Sequence, residues 1–61
     1  MEFLRRIRFE RARDELLAAD GGATVLEVAP RWGFSHPSRF AVEYRTRYGE
    51  SPSETLRRRR G

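Results

Sequence analysis

The sequence predicts an all-α fold, a small helix-turn-helix bundle of about four helices. Three observations carry that prediction. Apolar residues recur at three- and four-residue steps. The short segments open on capping signals, and glycines stand where helices should stop. No segment of useful length alternates with a period of two, so no strand is assigned.

The first helix is expected over residues 2–19, with Phe3, Leu4, Ile7, Ala12, Leu16 and Leu17 as its apolar positions and charge elsewhere. Asp20-Gly21-Gly22 should end it. The second is expected over 25–32. Thr24 and Glu27 have capping-box spacing, in which each side chain satisfies the other residue's backbone amide. Pro30 falls inside this helix, where it removes a hydrogen bond and clashes at a cost of about 3 kcal/mol, so a kink or a loosened last turn is expected. So short a helix needs packing by Val25, Leu26, Val28, Ala29 and Trp32.

The third helix is expected over 36–48, capped by Ser35 with Pro37 in its first turn, and closed by Gly49. The fourth is expected over 52–59, opened by a second capping box, Ser51-Pro52-Ser53-Glu54. Val28, Trp32, Phe34, Phe40 and Tyr44 should fill the space between the second and third helices. Ala29 is small enough for those helices to approach closely, and Gly33 both keeps the approach open and permits the turn. The chain divides into a long helix, 1–22, and a helix-turn-helix unit with a closing helix and basic tail, 23–61.

Size and charge narrow the function. A chain of 61 residues is one small domain that buries only about 60% of its unfolded surface. It has no cysteine, no apolar run of membrane-spanning length and no signal-peptide pattern at its start, which makes the cytoplasm the expected compartment. All 13 basic residues are arginine. Residues 1–34 hold six arginines and six acids, whereas 35–61 hold seven and three, so the net charge of +4 sits entirely in the second part. That excess suits an anionic partner, and the planar guanidinium fork suits phosphate. The single histidine, His36, has no cysteine or second histidine with which to share a metal, so neither an enzyme nor a cofactor is expected.

At about 100° per residue, Phe40, Tyr44, Arg47 and Tyr48 fall on one side of the third helix. Ser38, Val42, Arg45 and Thr46 fall on the other, with Arg39 at the edge. In a helix-turn-helix that binds double-stranded DNA, the second helix enters the major groove. Candidate base contacts are then Pro37, Ser38, Arg39 and Val42, of which Arg39 alone has the fork that pairs with guanine O6 and N7. Candidate phosphate contacts are His36, Arg45, Thr46 and Arg47, with the amides of the helix N-terminus beside them. The terminal run Arg57–Arg60 either adds phosphate contacts or offsets the dipole of the closing helix.

The motifs "RFERARDELL", "VLEVAPRWGF", "SRFAVEYRTRYG" and "SPSETLR" follow one another in order and spacing. Through them, residues 3–56 resemble the DNA-binding domain of AraC/XylS-type transcription regulators, with "WGFSHPSRFAVEYR" nearest the XylS-like branch. The resemblance implies sequence-specific DNA binding, and a base-reading role for the arginine aligned with Arg39. Domains of this family join two helix-turn-helix units by a long helix. Residues 2–19 match that linker, 25–48 the second unit and 52–59 the closing helix. The first unit and the effector domain have no counterpart here, so the chain is expected to be a segment of a longer regulator and to bind no effector itself. Val42 and Pro30 depart from the family pattern, which leaves base reading leaning on Arg39. The competing expectation is a protein-interaction module, its arginine face set against an acidic protein such as an RNA polymerase subunit. A membrane partner is not expected, because the long helix is neutral overall and its apolar residues are needed in the core.

Overall fold

The structure, a computed structural model, describes residues 2–18 and 24–60, with side chains through Arg58. The described residues form α1 (Glu2–Ala18), α2 (Val25–Arg31), α3 (Pro37–Tyr48) and α4 (Pro52–Arg60), with no strand among them. All four expected helices form, each bound within one residue of its expected position. The Asp20-Gly21-Gly22 stop signal and the boundary between 22 and 23 lie outside the described residues. No described helix is long and apolar enough to cross a membrane.

Both capping boxes close. The amide of Glu27 donates to Thr24 Oγ1 at 3.3 Å, and the amide of Thr24 donates to Glu27 Oε1 at 3.0 Å. At α4 the amide of Glu54 donates to Ser51 Oγ at 3.1 Å and that of Ser51 to Glu54 Oε1 at 2.7 Å. The Ser51 amide, with the Ser51 hydroxyl beside it, holds the Glu54 carboxyl below its usual range. The start of α3 differs from expectation. Its cap is His36, not Ser35, and no side chain accepts from its first-turn amides. Pro37 takes the first helical position, where its fixed φ and missing N–H cost little.

The helix ends follow from backbone geometry. Gly49 closes α3 at φ 79°, its amide donating to the Arg45 carbonyl at 2.8 Å. At the end of α2, the Gly33 amide donates to the Pro30 carbonyl at 3.1 Å and the Phe34 amide to the Ala29 carbonyl at 2.9 Å. This is a Schellman closure, and its left-handed residue is Gly33, at φ 89°. A Cβ at Gly33 would meet Arg8 only at ordinary contact distance, 3.8 Å. The glycine is therefore required for its φ, and close helix approach, also expected of it, is not the reason. Pro30 leaves α2 helical through Arg31, and the helix ends one residue beyond the proline.

The core gathers Phe9, Ala12 and Leu16 of α1, Val28 and Ala29 of α2, Phe34 of the turn, and Phe40 and Tyr44 of α3. Its centre is aromatic. Phe9 stacks on Phe40, with centroids 5.4 Å apart and planes inclined by 5°, and Phe34 tilts against both at 4.6 and 4.7 Å. Such pairs add about 0.5–1.5 kcal/mol each beyond area burial, which matters in so small a core. Tyr44 reaches α4, donating its hydroxyl to buried Thr55 Oγ1 at 2.8 Å, and Thr55 in turn donates to Glu50. Burial pushes the Tyr44 phenol up.

Three of the residues expected to pack are exposed instead. Phe3 and Leu4 are 61% and 48% exposed, and Leu26 is 69% exposed. Phe9, absent from the expected apolar stripe, is fully buried in their place. The reason is angular. On a helical wheel Phe9, Ala12 and Leu16 lie within about 60°, whereas Phe3, Leu4 and Ile7 lie on the opposite side. α1 thus carries two apolar stripes, and only that of Phe9, Ala12 and Leu16 enters the core with α2 and α3. Trp32 packs against the core at its edge, as expected of a filler, and donates its indole N–H to Glu15 Oε1 at 2.8 Å.

Candidate nucleic-acid interface

α3 is held by one face and free on the other. Phe40 and Tyr44 point inward and are buried, with Arg47 and Tyr48 partly covered beside them. Outward stand Ser38, Arg39, Val42, Arg45 and Thr46, all exposed, with Val42 at 69%. An exposed valine on an otherwise polar face has no packing role in the chain. His36 lies exposed at the helix start, and Pro37 is partly covered.

The candidate residues differ in how free they are. Ser38, Arg39 and Val42 line one shallow groove. Arg39 also lines a second groove, which runs over the turn past Ser35 and His36. Thr46 donates its hydroxyl to the Val42 carbonyl at 3.2 Å, one turn back, so its hydrogen is already committed. Arg47, expected among the phosphate contacts, is engaged inside the fold. Its Nη2 lies 3.0 Å from Glu2 Oε1 and 3.0 Å from Glu43 Oε2, its Nε donates to Glu43 at 3.2 Å, and its guanidinium sits 4.7 Å from the Phe9 ring centroid. Only 19% of that side chain is exposed.

Glu43 is the hub of this arrangement. Arg5 of α1 meets both of its carboxylate oxygens, Nε donating to Oε2 at 2.8 Å and Nη2 pairing with Oε1. The two arginines hold the Glu43 carboxyl at about 2, with the hydrogen bond from Arg5 the largest influence. Glu2 is likewise lowered by Arg47. Part of this was legible, since Glu43 and Arg47 stand four apart on one helix. Arg5 and Glu43 are 38 residues apart, and no local pattern announces such a pair.

Elsewhere the basic residues serve the fold in part. Arg58 pairs with Glu50 at 3.0 Å, while Arg57 is exposed beside Leu26 and Leu56. The side chains of Arg59 and Arg60 lie outside the described residues.

Comparison with known proteins supplies the remaining observation. A helix-turn-helix domain family matches residues 1–58. The probable thc operon regulatory protein of Rhodococcus erythropolis is 52% identical over 58 residues, covering 93% of this chain and 18% of the relative. The XylDLEGF operon transcriptional activator 1 of Pseudomonas putida is 54% identical over 37 residues, 61% of this chain and 11% of the relative. Regulatory protein HrpB of Ralstonia nicotianae is 36% identical over 54 residues, 87% of this chain and 11% of the relative. The chain thus spans less than a fifth of the length of each of these relatives. No solved structure matches it.

Proposed function

Because the chain belongs to the helix-turn-helix family of AraC/XylS-type transcription regulators, we propose that it binds double-stranded DNA sequence-specifically, with α3 in the major groove. The observation that carries this is the division of α3. Its inner face is fixed by Phe40 and Tyr44, and its outer face presents Ser38, Arg39 and Val42 exposed. Arg39 reads guanine through O6 and N7, Val42 meets a thymine methyl, and Ser38 and Pro37 complete the base-facing edge. Arg45 and His36 meet phosphate, together with the α3 amides that no side chain caps. Thr46 and Arg47 flank that contact, Arg47 chiefly by holding α3 in place through Glu43. Residues 1–22 serve as the helix joining this unit to a preceding one, and 23–61 as the unit itself.

The test is binding of the 61-residue chain to duplexes selected from a random pool, compared with scrambled duplexes. Arg39→Ala should lose about 1–3 kcal/mol on the selected duplex and relax preference at one base pair. Arg45→Ala should weaken all duplexes alike. Equal weakening of selected and scrambled DNA by Arg39→Ala would make Arg39 a phosphate clamp and move specificity elsewhere.

A further inference from the structure

We propose that Arg5, a residue of the long helix rather than of the helix-turn-helix, is part of the DNA-binding surface and takes a phosphate of the strand flanking α3. The inference rests on the DNA-binding role proposed above. It adds α1 to a surface for which the sequence offered α3 and the terminal arginine run.

Two observations carry it. The first is position. Arg5 lines both grooves that Arg39 lines, one shared with Ser38 and Val42, the other running over the turn at Ser35 and His36. A backbone following α3 in the major groove passes its flank, and Arg5 stands on that flank. Arg8, one turn further along α1, lies over Gly33 of the turn and extends the same basic edge. The second observation is how Arg5 is held. Its fork already grips a planar anion, the Glu43 carboxylate, through two donors. A phosphate presents the same paired oxygens to the same fork. The Arg5 side chain is half exposed at 49%, while Arg47, the other partner of Glu43, is largely covered. Glu43 therefore keeps Arg47 when Arg5 turns outward, and the carboxylate is not left unpaired. Arg5 is stored in the free protein on an anion of the protein's own, at the edge where the anion of the nucleic acid arrives.

The experiment measures affinity of the full 61-residue chain for a fluorescently labelled duplex of mixed sequence across salt concentrations, with helix content followed by circular dichroism. Arg5→Gln keeps a donor for Glu43 but drops the charge. It should weaken binding to every duplex alike and lower the slope of log affinity against log salt by about one, the loss of a single phosphate contact. Arg5→Lys keeps the charge and should retain the parent slope. Glu43→Gln releases Arg5 and should tighten binding, and that gain should shrink when Arg5→Gln is added. An unchanged slope in Arg5→Gln, with Arg39→Ala still losing specificity, overturns this proposal and leaves the role of α3 standing. Failure of the parent chain to bind any duplex overturns both. If Arg5→Gln loses its helical signal, Glu43→Gln decides alone, and weaker binding by that variant counts against the proposal.

Discussion

The two halves of α1 present opposite chemistry to the rest of the molecule along one stripe. From Phe9 onward the inward positions are Phe9, Ala12 and Leu16, all fully buried. Before Phe9 the same stripe carries Glu2 and Arg5, which reach α3 as ions pairing with Arg47 and Glu43. Of the apolar residues in this first half, Phe3 and Leu4 look away from the bundle. One helix is thus a core element for half its length and an electrostatic arm for the rest. The difference shows that an uninterrupted helical pattern need not have an uninterrupted role. Packing energy sits at the C-terminal half, and the positioning of α3 relies on the N-terminal half as well.

Substitution at Phe9 tests the first half of that comparison most severely. Phe9→Ala removes the ring on which both Phe34 and Phe40 rest and should cost about 3–5 kcal/mol. A domain of this size has a total stability of roughly 3–9 kcal/mol, so the variant should lose a third of it or more, and its thermal and urea midpoints, followed by circular dichroism, should fall far below those of the parent. A cooperative transition near that of the parent would mean that the aromatic centre is not where the stability resides.

Acid should probe the electrostatic arm. The folded chain holds the Glu43 carboxyl at about 2, against an ordinary value of 4.5. A group depressed in this way contributes its stability above the ordinary value and loses it as pH falls through the folded one. The melting temperature should therefore drop as pH falls from about 4.5 towards about 2, and Glu43→Gln should flatten that drop. An identical acid profile for the variant would assign the arm no part in stability.

The smallest effect is expected at the outward stripe. Phe3→Ser replaces a side chain that is 61% exposed and should change stability by less than about 0.5 kcal/mol. Denaturant midpoints of parent and variant should coincide. A loss comparable to that of Phe9→Ala would show that the two stripes of α1 are not distinct in energy.

How much of this was legible depended on the range of the interaction. The boundaries of α2 and α4 were readable from Thr24 with Glu27 and Ser51 with Glu54, because a capping box acts within four residues. Gly33 and Gly49 were readable as stops for the same reason, since a left-handed residue is a local demand. The outward set on α3 followed from helical angle once Phe40 and Tyr44 were placed inside. Ser35 was misjudged as the cap because Ser35 and His36 are adjacent, and the choice between them turns on backbone dihedrals set by the turn.

The sequence by itself therefore determined that the chain is helical, where each described helix begins and ends to within a residue, and which face of α3 is free. Periodicity and capping are properties of neighbouring residues, and they survive in any context. Only the tertiary structure decided which of the two apolar stripes of α1 is core, that Leu26 stays outside, that Arg47 serves the fold, and that Arg5 comes to stand beside Arg39. Those outcomes depend on which helix lies against which. A stripe has no inside until a second helix covers it, and a charge has no partner until the chain returns to it.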